Sequence, residues 1–562
     1  MKHFFGAAAI AMSLSLASSI SIAQTLYRSN ATGDWNATST WQISTDNGTN
    51  WTAASSTPTD ANNDGITVRS PHNVSVTSSV TVDQAVIEAG AQVTIIDGST
   101  LTIHDGSDTD LSVSGTLQTN STSNTSGITT NGTIVFNDGG TYVHNVDAGA
   151  IPSASWDANS TCAITGVDST RPGGLGQIFG NFIWNCTGQT NSISFESNLG
   201  GIQGNLTVAS TGGNELRISN TGTDQTLSVP GNFTITGGTF SIVDDEGSAT
   251  LEVGGNFSMS GGTFKIVDDI GDGSLFVVGD LTISGGTFDM KTEDSDNGSA
   301  LLSLGGNYWQ TGGTFIQRSI STGTSVVTIG GNFSISDGTY NISGAGGVGV
   351  LNLAGDFSLT GTSTFTETSS GSGSVNFTGM TNYTSTGTRF ANTVNFTVNN
   401  GATLLLGESD FGLGSDGTFT LSGGGTLGIG HPSGIADSGP ESNVRVTGTR
   451  TFPITANYIF TGNSSQEPGP GLPLTMNHLS FRNVAGTTFP NSSTYTINGN
   501  LTVGAGGGFI AGEGSTFNLK GNWMKDSGGV FNPGTSKIVL NGTAPQTMSG
   551  STFYDLEINN AS

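Results

Sequence analysis

Residues 231–240 read GNFTITGGTF, and the chain returns to that phrase as GNFSMSGGTF from 255, GDLTISGGTF from 279, GNYWQTGGTF from 306, GNFSISDGTY from 331 and GDFSLTGTSTF from 355. The opening glycines Gly231, Gly255, Gly279, Gly306, Gly331 and Gly355 are almost evenly spaced, with one longer step before Gly306. A period of about 24 residues marks repeats stacked into a solenoid. Within a unit the apolar residues alternate with polar ones, as in Phe233 and Ile235, Phe240 and Ile242, Leu251 and Val253. A period of two belongs to strands, and no stretch in the repeats carries the 3.6-residue period of a helix. Gly, Asn and Asp separate the strands and suit tight turns. Three short strands per unit bury their inward residues only by winding, each pairing in parallel with its counterpart one turn on. The expected fold is all-β, a right-handed parallel β-helix or solenoid with coils of about 24 residues, roughly 22 of them along the chain.

Stacking at about 4.8 Å per coil makes residue-level expectations. One internal column is Phe233, Phe257, Leu281, Tyr308, Phe333 and Phe357, and another is Phe240, Phe264, Phe288, Phe315 and Tyr340. Asn232, Asn256, Asp280, Asn307, Asn332 and Asp356 are expected to form a polar turn ladder. The separation of Cys162 from Cys186 equals that of Gly231 from Gly255, one repeat. One full coil between them would place their Cα atoms within disulfide range, so a bridge is expected in an oxidising compartment, with two buried thiols as the alternative.

Residues 1–23 combine Lys2 and His3, an apolar run from Phe4 to Leu16 and a small-residue exit at Ser21, Ile22 and Ala23, the pattern of a secretory signal cut before Gln24. No later apolar run is long enough for a membrane helix, so the protein is expected to be secreted or held at the cell surface. Only 10% of residues are charged, the net charge is −27, and 87 of 562 residues are glycine. Such an acidic chain lacks the basic patch that binding to nucleic acid requires. His72, His104, His144, His431 and His478 are scattered without metal-ligand spacing and are expected on the surface or in turns.

After the signal, residues 24–111 hold Trp35, Trp41 and Trp51 and the first coils, where the tryptophans are expected to plug an open solenoid end or, as a sharper alternative, to stack on carbohydrate. Residues 112–203 are looser coils containing the cysteines, 204–378 form the regular block, and 379–562 are irregular coils expected to continue in a longer protein. A second internal similarity places a glutamine after a small turn at Gln466 and Gln546, and more faintly at Gln177.

The stretches WDANSTCAITGV (156–167), GGLGQIFGNFIWNCTG (173–188), VTGTRTFPITANYIFTGNSSQ (446–466) and the segment 521–560, together with the GNF repeats, resemble large secreted surface proteins of Bacteroidota. The resemblance implies a β-solenoid exported by the type IX secretion system. Such proteins usually end in a separate sorting domain, which is expected to lie in the continuation of a longer protein.

The sharpest candidate site is acidic. At equivalent offsets the coils carry Asp244, Asp245 and Glu246, then Asp268, Asp269 and Asp272, then Glu293, Asp294 and Asp296. Stacked carboxylates repel by about 1 kcal/mol per pair even in water, which calcium would offset; the alternative is a solvated loop screened by salt. Asp60, Asn62, Asp64 and Gly65 match the start of an EF-hand loop, but Pro71 stands where the bidentate Glu belongs, so a turn is expected. Thr239, Thr263, Thr287, Thr314 and Thr339 form a single column, whereas an ice-binding face would want two.

No nucleophile lies beside a base, and Lys265, Lys291 and Arg318 are the few cations near the acidic stack. The expected function is an exported structural or adhesive surface element, non-catalytic, with no required cofactor other than calcium as an option. Its partners would be other surface proteins or extracellular glycans, and end-to-end self-association is open to it. A carbohydrate-binding or carbohydrate-active β-helix is the alternative, and an ice-binding solenoid the lesser one.

Overall fold

The computed structural model describes residues 24–561 apart from 122–124, 293–297, 319–322, 345, 368–371, 387–389, 409–411 and 438–441. The expected signal segment, and Glu293, Asp294 and Asp296 of the acidic stack, lie outside the described residues. The fold is a β-solenoid of about 18 turns spaced ~24 residues apart, with no α-helix among the described residues. The turns are fewer than the roughly 22 expected, and coil length varies along the chain. The step from Thr161 to its partner Asn181 is short, and the step from Thr426 to its partner Asn457 is long.

Contacts divide the chain into two units, one reaching Leu117 and including Gly127–Val135, the other comprising Gln118–Ser126 and Phe136 onward. In the first, strand Leu26–Ser29 pairs antiparallel with Trp41–Ser44 and parallel with Gly65–Val68. Trp35 and Trp41 are buried edge to face at 4.8 Å, and their indole N–H groups donate to Pro58 O and Trp35 O. Trp51 instead lies under the Arg28 guanidinium at 4.1 Å. The EF-hand-like residues hold turns: Asp64 accepts from Thr25 N–H, and Asn62 accepts from Thr59 N–H.

In the second unit each regular coil contributes three strands to three faces, for example Phe233–Ile235, Thr239–Val243 and Ser248–Val253. Every pairing in this block is parallel and in the expected register. Phe233 meets Phe257, Phe257 meets Leu281 and Leu281 meets Tyr308, while Phe240 meets Phe264 and Phe264 meets Phe288. All these rings are wholly buried, at centroid separations such as 4.7 Å for Phe264 and Phe288 and 4.5 Å for Phe315 and Tyr340. Strands Tyr308–Ile316 and Phe333–Ser343 run through two faces without a break.

The turn ladder is longer than the repeats alone suggest. Starting at Asn181, each Oδ1 accepts the backbone N–H one coil on, through Asn205, Asn232, Asn256, Asp280, Asn307, Asn332 and Asp356 to Asn382, at 2.7–2.9 Å. The leading glycine of each unit leaves room for it: a Cβ on Gly279 would lie 2.2 Å from Asn256 Oδ1. Further on, His478 takes the same position, its Nδ1 accepting from Asn500 N–H. The repeated glutamines are buried or half-buried amide clamps. Gln466 Nε2 donates to Ile429 O and His431 O, and Gln546 and Gln177 bond backbone groups of neighbouring turns in the same manner.

Two expectations are corrected. Cys162 pairs in register with Phe182, not Cys186, because this coil is shorter than the regular repeat. Cys186 lies four residues beyond that partner, about 13 Å along an extended chain, too far for a bridge without rearrangement. Both thiols are free and buried, and Cys186 Sγ donates to Ile164 O at 3.5 Å. His144 is likewise not a surface residue: it is wholly buried, its Nδ1 3.0 Å from the Tyr142 hydroxyl and its Nε2 2.9 Å from Ala148 O. Burial lowers its pKa and favours the neutral ring.

Candidate functional site

The site lies where strands Glu215–Ser219, Thr239–Val243, Thr263–Val267 and Thr287–Lys291 stack on one face. Phe240 and Phe264 point inward, so the next residue of each strand points out. The register makes an outward column of Arg217, Ser241, Lys265 and Asp289. Asp244 and Asp268 follow one position beyond the paired Val243 and Val267. One coil earlier, Glu215 occupies the place that threonine holds in the repeats, pairing with Thr239 at the head of the threonine column.

These residues converge. Glu215, Asp244 and Asp268 each bring a carboxylate oxygen within 4.8 Å of the others. Arg217 bridges Glu215, at 3.2 Å, and Asp244. Lys265 Nζ lies 2.6 Å from Asp268 and 3.6 Å from Glu215. With Ser192, Asn214 and Thr239 they line a depression of about 350 Å³. Burial pushes the Glu215 carboxyl upward, an effect that the Lys265 and Arg217 charges oppose. Asp289, also buried, is pushed up to about 6 although Lys291 N–H donates to it at 3.0 Å.

The remaining acidic residues do other things. Asp245 and Glu246 are exposed. Asp272 accepts from Ser299 N–H and Oγ at 2.8 and 2.7 Å, holding a turn, and the Asp269 carbonyl accepts from Lys291 Nζ at 2.5 Å. Lys291 is fully buried, and burial, followed by the nearby Arg318 charge, lowers its pKa. The repeat phrase led to Asp244 and Asp268 but not to Glu215 or Arg217, because their coil lacks GGTF. The signal was present in the alignment of NELRISN (214–220) with GTFSIVD (238–244).

Chemically, the arrangement is an oxygen-rich cluster with interleaved cations. The expected like-charge cost is offset in part by Arg217 and Lys265, each of which pairs with one carboxylate of its own coil and one of another coil. The described lining residues include no aromatic ring. Compared with protein-family models, with curated proteins and with solved structures, the chain finds no match.

Proposed function

We propose that this protein is an exported, non-catalytic β-solenoid of the cell surface with a structural or adhesive role, delivered by a type IX route as the resemblance to Bacteroidota surface proteins implies. The observation that carries the reading is the side-chain ladder running unbroken from Asn181 to Asn382. Much of this architecture is devoted to locking one coil onto the next. Backbone groups paired from turn to turn present few extended segments to a protease. The outward positions are largely Ser, Thr and Asn, as in the column Thr234, Ser258 and Thr282, a surface suited to polar contact with partner proteins or glycans.

The test is localisation joined to activity. Antibodies against the full chain are expected to label intact, unpermeabilised cells, and the purified protein is expected to leave polysaccharide panels uncleaved. Retention inside the cell, or release of reducing ends lost on Glu215→Gln, would overturn the reading.

A further inference from the structure

We propose that Glu215, Asp244 and Asp268, with the Ser241 hydroxyl beneath them, form a site for one calcium ion that ties three successive coils together. The inference stands apart from the cell-surface reading, since it rests on local geometry alone. Two oxygens bound to one Ca²⁺ at about 2.3–2.6 Å lie at most about 5 Å apart. The three carboxylates, mutually within 4.8 Å, meet that condition without rearrangement of the strands. Each comes from a different coil, because Glu215 pairs with Thr239 and Thr239 with Thr263.

A second observation is independent of the acidic cluster. Ser241 points outward between Arg217 and Lys265, is wholly buried, and its Oγ has no hydrogen-bond partner. A buried hydroxyl without a partner costs about 1–3 kcal/mol, and here it lies in register between Arg217 and Lys265, two residues that line the depression. A metal ion or its bound water would satisfy it.

Charge points the same way. Glu215, Asp244, Asp268 and Asp289 face Arg217 and Lys265, an excess of two negative charges, which one divalent ion neutralises. The donors are all oxygen, which selects hard ions over zinc or copper. Several carboxylates in an irregular arrangement suit Ca²⁺ better than Mg²⁺, which demands a near-ideal octahedron. Arg217 and Lys265, with side chains 14% and 20% exposed, both have a path into solvent when the ion takes their places among Glu215, Asp244 and Asp268.

The experiment is calorimetric titration of the full chain, stripped with chelator, using CaCl₂ and in parallel MgCl₂ at physiological ionic strength. One site per chain is expected, with a Kd at or below about 1 mM, the weak end for extracellular calcium modules, and weaker Mg²⁺ binding. Asp244→Asn with Asp268→Asn should abolish it. Ser241→Ala should weaken it by about tenfold and Lys265→Gln, which removes the competing ammonium, should tighten it by a similar factor. Should the double variant lose its β-type circular dichroism, these last two decide the matter, because they shift affinity in opposite directions. No binding up to about 10 mM Ca²⁺, or an isotherm unchanged in Asp244→Asn/Asp268→Asn or in both single variants, would overturn the proposal.

Discussion

Replacing Phe264 by alanine probes the internal aromatic column at its most confined point. The ring is wholly buried, 4.9 Å from Phe257, 4.7 Å from Phe288 and 6.1 Å from both Phe233 and Phe240. Loss of a buried Phe side chain costs about 3–5 kcal/mol, depending on how far the surroundings collapse. Here they cannot collapse far. Strand pairing holds Thr239–Val243 and Thr287–Lys291 on either side, and the coil spacing of about 4.8 Å is fixed by backbone hydrogen bonds. The expected cost is therefore near the upper end, about 4 kcal/mol, against about 1.5 kcal/mol or less for Phe264→Leu. Because a solenoid is stabilised largely by nearest-neighbour contacts, the loss should be local. Native-state hydrogen exchange should show protection falling by about a thousandfold in those two strands and in Thr263–Val267, while Thr494–Ile497 and Thr516–Leu519 keep theirs. A loss smaller than about tenfold, or one spread evenly over the second unit, would refute the argument that stacked rings confined by the backbone carry this block.

Further outcomes follow from other parts of the fold. Gly262 has φ +73° and a Cβ there would lie 2.4 Å from Gly238 O, so Gly262→Ala should cost more than the about 1–2 kcal/mol of left-handed strain alone. Gly213→Ala, with nothing within 4 Å, should stay within about 0.5 kcal/mol by denaturant titration. Cys162 and Cys186 should both remain reduced under air: intact mass after alkylation in denaturant should show two labelled thiols, and a bridged species would contradict the register. Burial pushes the Glu367 carboxyl from 4.5 up to about 7, so the native state retains a proton that the unfolded chain releases. Its stabilising contribution is full below about pH 4.5 and is lost as pH rises through 7. Melting midpoints should accordingly fall relative to Glu367→Gln over that window and run parallel above it; parallel curves throughout would show that the carboxyl is not protonated in the fold.

The regular block was readable because each coil restates the same constraints. Alternation set which side chains face inward, and glycines at Gly238, Gly262 and Gly286 marked a turn with positive φ. Asn256 and its equivalents were recognisable as a ladder because their spacing matches the aromatic columns. Outside the block the inference from spacing failed. The separation of the cysteines equals the regular repeat, yet the coil that begins at Thr161 reaches its next turn early, at Asn181, and nothing in the local residues announces the shorter turn. His144 escaped for a different reason: an isolated histidine carries no sign of whether Tyr142 and a carbonyl wait to receive its two nitrogens.

The candidate site divides along the same line. Asp244 and Asp268 were evident from their common offset, whereas Glu215 and Arg217 belong to a coil whose phrase has drifted from the consensus, so the faint match of NELRISN to GTFSIVD became legible once strand pairing set them in one column with Thr239 and Ser241. By itself the sequence determined the architecture, because hydrophobic period, turn residues and repeat length are local properties that every coil states again. Only the tertiary structure decided which charges meet, since a contact between Glu215, Asp244 and Asp268 depends on the summed lengths of the intervening turns. Turns gain or lose residues while the strands keep their register, as the unequal steps from Thr263 to Thr287 and from Thr314 to Thr339 show, so spacing along the chain does not by itself say which polar side chains meet.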